Sequence, residues 1–532
     1  MAGSGDDQRA TIALLLDPAT HGGASQGVTA TRRIDTHGAV VVLAGERVFK
    51  LKRAVKFPFL DYSTVERRRA ACAAELQINR RTAPDLYLAV RPIVADGDGR
   101  LTLGAPGTEP RLDAVDWVLE MRRFADDALF DQRARDGLLD TDTVLKLADA
   151  IAEFHAAAEL RPEHGGLLAM RRIVDGVVDG LVASGLVDGD RLDRFAGAIR
   201  KALDGNAALL DRRRDQGFVR HGHGDLHLGN VCLWQGEPTL FDAIEFDDRI
   251  ACGDVLYDLA FLLMDLQHRG LPGLANAAFN RYLMRAMADA GAAGGDALLP
   301  VDGLAALPLF LATRAAIRAQ VGLAAARRQA DAARAQAKIA EAGAYLDLAL
   351  ACLDPPRPRL LAVGGLSGTG KSTLALGLAP MIGPVPGALV LRSDALRKTL
   401  AGGGLFDRLP PAAYDRAMTA RVFDGLAEGA RRALAAGHAA IADAVYLAPA
   451  QRLKIEAVAK AAGAPFAGLW LEAPAGQLEA RVSARRGDVS DAGADIVRMQ
   501  LAQDPGPMAW HRIDAGGTPA EVLARSRAAL GL

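Results

Sequence analysis

The sequence predicts two unlike folds in series, an α+β segment followed by an α/β segment. Three observations carry that prediction. Turn-bounded apolar runs crowd residues 39–121, and helical apolar spacing takes over from about 140 to 350. Beyond the proline-rich DPPRPR at 354–359, short apolar strands alternate with helices, which implies a parallel sheet covered on both faces.

Each element follows from its residues. AVVVLAGERVFKLKR at 39–53 reads as a β-hairpin, two β-branched runs around the polar turn AGER. Ser63 or Thr64 is placed to cap a helix through VERRRAACAAELQINRR, whose acidic first turn and basic last turn suit the helix dipole. Pro84 ends it. DLYLAVRPI (85–93), GRLTLG (99–104) and VDWVLEM (115–121) read as strands. TVLKLADAIAEFHAAA and the region 190–210 have helical spacing, NVCLWQGEPTLFDAIEF suggests a hairpin, and 253–350 is mostly helical. Two adjacent prolines and a third nearby cannot continue that helix, so residues 354–358 are the expected linker between domains 1–353 and 359–532. LLAVGG, ALVLRSD, HAAIADAVY and FAGLWLEA then supply strands, with helices expected over 415–436 and 448–462 and after the last strand.

Composition narrows the function classes. At 532 residues the chain exceeds one core, and its 50% apolar and 24% charged residues are ordinary for a globular protein. Lys+Arg number 63 against Asp+Glu 64, a balance that disfavours a nucleic-acid partner. Cys72, Cys232, Cys252 and Cys352 are scattered with no CxxC pair, which disfavours disulfides and zinc and makes a reducing cytoplasm the expected compartment. IALLL near the start is too short for a signal-peptide core, and no 18-residue apolar run is evident, so no membrane partner is expected.

Gly365 to Ser372 fit G-x-x-x-x-G-K-[ST] after an apolar strand and before the helical TLALGLA. Glycines let the backbone turn its N–H groups toward phosphate, and the helix N-terminus adds a favourable dipole. Gly365, Ser367, Gly368, Thr369, Gly370, Lys371, Ser372 and Thr373 are therefore the expected ATP cradle. Lys371 would bridge the β- and γ-phosphates, and Ser372 would ligate magnesium. Asp394, at a strand end in RSDALRK, would take the proton of an attacking hydroxyl, with Arg397 on phosphate charge. The alternative for Ser393 or Asp394 is a helix cap. Asp443 sits where a second strand would aim a carboxylate at magnesium, or merely marks a strand-end turn. Arg481, Arg485 and Arg486 would form a lid over the phosphates, or a solvated helix face. GLSGTGKST, SDALRK and RVSARRGDVSDA together resemble the small P-loop kinases, which include gluconate-kinase-like, zeta-toxin-like and polynucleotide-kinase-like enzymes, over about 359–532.

HGHGDLHLGN at 221–230 invites a metal reading through His221, His223 and His227. The stretch does not match a zinc-binding H-x-x-x-H on a helix with a nearby glutamate, and the interleaved glycines argue for a loop. His223-Gly-Asp225 followed by Asn230 instead reproduces the H-x-D-x-x-x-x-N loop of the protein-kinase fold, with Asp242 following in LFDAIEF. In such a loop Asp225 meets the acceptor hydroxyl while Asn230 and Asp242 hold magnesium. Lys50 or Lys52, on one face of a strand, would contact the α- and β-phosphates, with Lys50 preferred and Glu75 as its partner. No G-x-G-x-x-G loop precedes Lys50.

HGDLHLGN with LFDAIEF and DVLYDLAFL resembles the aminoglycoside-phosphotransferase and choline-kinase branch of that fold. The resemblance implies that Asp254 and Asp258 brace the loop. Nearly the whole chain resembles a bacterial fusion of this kinase-like domain with a P-loop kinase-like, AAA-family ATPase-type domain. It implies an α+β protein-kinase-like bilobal domain, then an α/β P-loop NTPase domain with a parallel sheet. Each would use ATP and Mg2+ to phosphorylate a hydroxyl of a small polar molecule. Two alternatives stand beside this: a first domain that only senses ligand and gates the second, and a toxin-like or polynucleotide 5′-kinase activity of the second.

Overall fold

The computed structural model describes residues 8–57, 60–484, 489–491 and 493–532, which fall into two compact units. The first comprises Met1–Leu139, Ala157–His164 and Gly217–Asp258. Its six-stranded antiparallel sheet contains β1 (Thr31–Asp35), β2 (Ala39–Ala44), β3 (Arg47–Lys52), β6 (Tyr87–Ala95), β7 (Leu101–Leu103) and β8 (Ala114–Arg122), in the order β1-β2-β3-β8-β6-β7. A two-stranded pair, β4 (Lys56–Phe57) and β5 (Leu60–Asp61), follows β3.

The near-continuous apolar run of β2 has a physical reason, since both of its faces are covered. Val40, Val42 and Ala44 pack with Phe49, Leu51, Val118 and Leu15 of the Arg9–Leu16 helix, so IALLL serves as core. Val41 and Leu43 face the opposite cluster of Cys72, Tyr87, Trp117 and Leu119. Thr64 caps the Val65–Asn79 helix by accepting from Arg67 N. That helix stops at Asn79, five residues short of Pro84, and the Asn79 side chain turns to the backbone N–H of Ala243 at 2.8 Å. The segment around His223-Gly224-Asp225 adds β9 (Val219–His221) paired with β12 (Cys252–Asp254), and the hairpin β10 (Val231–Trp234) with β11 (Glu237–Leu240).

The second unit comprises Asp140–Ala156, Gly165–Gln216 and Leu259–Leu532. It contains both the helical stretch up to Leu353 and everything beyond the 354–358 segment, so compactness does not follow the proline-rich break. Its sheet is wholly parallel: β13 (Leu360–Gly365), β14 (Leu389–Arg392), β15 (Ala440–Asp443), β16 (Phe466–Glu472) and β17 (His511–Asp514), ordered β14-β15-β13-β16-β17. Central β13 is buried throughout, as a doubly covered parallel strand must be. Edge strand β14 is closed by the Pro272–Ala292 helix. Asn280 Oδ1 accepts from Val390 N at 2.6 Å, and the Asn276 and Asn280 amides donate to Ala388 O. Among the described residues one stretch, Leu299–Arg327, is long and apolar enough to cross a membrane by length and composition, contrary to the sequence expectation; 78% of its apolar window is buried in the fold.

Candidate functional site

In the first unit the expected groups meet around one short loop. The HGDLH segment leaves β9 at His221. Gly224 has φ +81, and a Cβ there would come within 3.0 Å of the Ala251 and Ile250 backbone, so only glycine fits. The Asp258 carboxylate accepts from the backbone N–H groups of His223 (2.7 Å) and Gly224 (3.0 Å), the bracing implied for it. Asp254, the last residue of β12, accepts from Leu256 N at the start of the Val255–His268 helix. Arg81 donates to the carbonyls of His221 (2.8 Å) and Gly222 (3.1 Å), a contact with no sequence signal. His223 is fully buried and donates through Nε2 to Phe241 O at 3.0 Å. Burial lowers its pKa against the pull of Asp258 and Asp225, which favours the neutral ring.

Asn230 Nδ2 donates to the Asp225 carboxylate and carbonyl, both at 2.9 Å. That bond aims the aspartate and leaves the amide oxygen of Asn230 for other work. His227 Nε2 lies 3.5 Å from the same carboxylate. Asp242 has φ +61, and its backbone N–H is held by Tyr87 OH at 3.0 Å. Its Oδ1 meets Lys50 Nζ at 2.5 Å, and Lys50 also reaches Glu75 Oε1 at 2.7 Å. Lys52 pairs with Glu75 Oε2 and Glu245 and lies 3.3 Å from Tyr62 OH. Burial opposes the charge on both lysines, but their carboxylate partners outweigh it and hold both pKa values up. Glu75, fully buried, is correspondingly held down at about 2: the two lysines overcome its desolvation. Lys52 is enclosed while the Lys50 side chain keeps 16% exposure, so Lys50 is the one open to a ligand.

The second unit carries the cradle. Gly365 (φ +136), Gly368 (+87) and Gly370 (+87) take left-handed backbone, and a Cβ on Gly368 would meet Leu478 O at 2.6 Å. Thr369 Oγ1 bonds Leu366 O (2.8 Å), and Ser367 N donates to Gln500 Oε1 (2.8 Å). Lys371 opens the Lys371–Leu378 helix and rests on Leu366 O at 2.9 Å, with Ser372 and Thr373 next in the same first turn. Parallel pairing sets Asp443 beside Val363 of β13 and Arg392 of β14. Ser372 Oγ meets Asp443 Oδ2 at 2.5 Å, and Arg392 Nε lies 3.7 Å from that oxygen. Burial raises the Asp443 pKa, with Arg392 and Lys371 resisting.

Asp394 lies within the first turn of the Ser393–Leu400 helix, whose cap position is Arg392 without a side-chain cap bond. Arg397 is turned into the protein, donating to Ala413 O (2.9 Å) over the Tyr414 ring, and burial lowers its pKa. Beside it lies a network that the sequence reading missed: Asp491 accepts from Lys398 Nζ (3.2 Å), Leu409 N (3.1 Å) and Tyr414 OH (2.7 Å). Only proximity in the fold joins these three segments. Arg481 donates to the carbonyls of Ala515 and Gly517, and Arg485 and Arg486 lie outside the described residues.

Both sites offer hard oxygen donors of the kind magnesium prefers, Asn230 with Asp242 and Ser372 with Asp443.

Residues 132–298 match a family described as the phosphotransferase enzyme family, and residues 360–503 match one described as an AAA domain. The chain is 30% identical over 502 residues to the uncharacterized protein Rv2004c of Mycobacterium tuberculosis, covering 91% of this chain and 92% of that one. The uncharacterized protein Mb2027c of Mycobacterium bovis matches to the same extent. Among solved structures, a sugar kinase from Janibacter sp. HTCC2649 is 23% identical over 33% of this chain and 95% of its own, with TM-score 0.25. A choline/ethanolamine kinase family protein from Mesorhizobium loti is 14% identical over 64% of this chain and 99% of its own, with TM-score 0.36.

Proposed function

This chain belongs to the family of its mycobacterial relatives, and on that premise we propose that it is an ATP-dependent phosphotransferase with two separate sites, each acting on a hydroxyl of a small polar molecule. It joins an α+β protein-kinase-like domain of the aminoglycoside-phosphotransferase type to an α/β P-loop NTPase domain with a parallel sheet. Kinase-type phosphotransferase domains use ATP, and magnesium bound with it neutralises the triphosphate.

The observation that carries the reading is the division of labour among oxygens within each unit. In the first, Asp225 is oriented by Asn230 and would take the proton of an acceptor hydroxyl. Asn230 and Asp242 would hold the metal, and Lys50, fixed by Glu75, would hold the phosphates. In the second, the 365–373 backbone and Lys371 would cradle phosphate, Ser372 and Asp443 would hold the metal, and Asp394 would serve as base. Arg397 would position Tyr414, and Arg481 would anchor its helix to the Ala515 carbonyl.

The test is ATP consumption by the full chain against a panel of sugars, aminocyclitols and amino alcohols. Asp225→Ala and Lys371→Ala should each abolish a different activity. Transfer to oligonucleotide 5′ ends would overturn the small-molecule reading. A second reading, that the first domain gates the second, is favoured by the Asn276 and Asn280 bonds to β14, since that helix lies within the phosphotransferase-family match. It predicts that Asp225→Ala leaves all turnover intact and shifts only the affinity at the P-loop.

A further inference from the structure

His221 has no part in the phosphoryl-transfer chemistry above, yet its surroundings are unusual. It stands directly opposite Cys252 in the β9–β12 pair, and Asp248 begins the four-residue helix that leads into β12. One ligand atom from each of His221, Asp248 and Cys252 lies within 4.8 Å of the others. Among the described residues, His221 Nε2 is enclosed without a hydrogen-bond partner, and Cys252 is a buried free thiol. An enclosed polar nitrogen left unpaired is costly, so it calls for a ligand.

We propose that His221, Asp248 and Cys252 bind a zinc-class divalent cation. The mixed N, O and S donors suit a borderline-soft ion and not magnesium, which prefers oxygen alone. Metal–ligand bonds of about 2.0–2.3 Å set tetrahedral ligand atoms roughly 3.3–3.8 Å apart, so side-chain shifts of about 1 Å close the site. Three protein ligands leave a fourth position for water. Binding releases one proton, because Cys252 must coordinate as thiolate. Arg81 and Arg161 oppose the ion's charge at this place, while Asp248, Glu159 and Glu163 offset them. The ion would tie β9 to β12 where the chain enters His223-Gly224-Asp225, next to the Asp258 clamp. It would therefore brace the loop from behind. The cysteine and histidine spacings conceal this site because its ligands come from two strands and a helix joined only in the fold.

Cobalt(II) titration of the full chain tests it, because a thiolate–cobalt charge-transfer band arises only where sulfur coordinates and oxygen sites for magnesium give none. One equivalent should raise the band, Zn2+ should bleach it and Mg2+ should not. Cys252→Ser should abolish it, Cys232→Ser should retain it, and His221→Gln should weaken binding at least tenfold. Circular dichroism verifies that each variant is folded; if Cys252→Ser is not, His221→Gln carries the test. No band in the folded wild-type chain, a band that survives Cys252→Ser, or unweakened binding in His221→Gln overturns the assignment.

Discussion

Replacing Asn280 by alanine tests the link between the helical segment and the P-loop sheet at a single amide. In the native structure Val390 N donates to Asn280 Oδ1 at 2.6 Å, while Asn280 Nδ2 shares Ala388 O with Asn276. Truncation leaves the Val390 N–H without its acceptor on an edge strand that the helix shields from water. An orphaned donor costs about 1–3 kcal/mol and the lost bond to Ala388 adds a little, so local opening of β14 should become easier by about 2–3 kcal/mol. At about 1.4 kcal/mol per tenfold, that is a 30- to 150-fold loss of hydrogen-exchange protection at Val390. Exchange over 388–392 reads it directly. Asn276→Ala, which leaves the Val390 acceptor in place, should change that protection by no more than about threefold, less than one bond's worth. Because β14 runs into Asp394, the Asn280 variant should also raise KM for the P-loop acceptor. Unchanged protection at Val390 would refute the argument.

Three further outcomes follow from the geometry. Gly368→Ala puts a Cβ at φ +87 and 2.6 Å from Leu478 O, so nucleotide affinity at the P-loop should fall at least tenfold, read by fluorescent-nucleotide titration, with the Asp225 site unaffected. Asp258→Asn turns one acceptor oxygen into a donor facing His223 N or Gly224 N, a loss of about 2–3 kcal/mol that should cut turnover at the first site 30- to 150-fold and spare Lys371-dependent turnover. His438, fully buried with Nε2 donating to Gly387 O, has its pKa pushed down by burial to about 4 from 6.5. The unfolded chain takes up a proton that the folded one refuses, so this stability is complete above pH 6.5 and is lost as pH falls toward 4, by about 3 kcal/mol in all. Urea unfolding of His438→Gln across that range should lack this component; an unchanged pH slope would contradict it.

Local geometry was legible in the sequence. The β2–β3 hairpin, the Thr64 cap, the glycine cradle and the His223-Asp225-Asn230 loop all follow from residues adjacent in the chain, where φ, spacing and side-chain type act within a few positions. Alternation also put Lys50 and Lys52 on one face, but it could not separate them. Glu245 and Tyr62, far along the chain, enclose Lys52 and leave Lys50 partly open. What stayed hidden depends on distant segments meeting: Arg81 on the His221 carbonyl, the Lys398–Asp491–Tyr414 network, and Asn280 on β14. The same holds for Arg397, whose motif position suggested phosphate but whose guanidinium is turned to Ala413 O.

The central claim is that two nucleotide sites coexist in one chain. Equilibrium dialysis with a non-hydrolysable ATP analogue and Mg2+ tests it most directly. The account predicts two nucleotides per wild-type chain and one in Lys371→Ala, with the remaining one lost on adding Asp242→Asn. A single nucleotide per wild-type chain, abolished by Lys371→Ala alone, would contradict it.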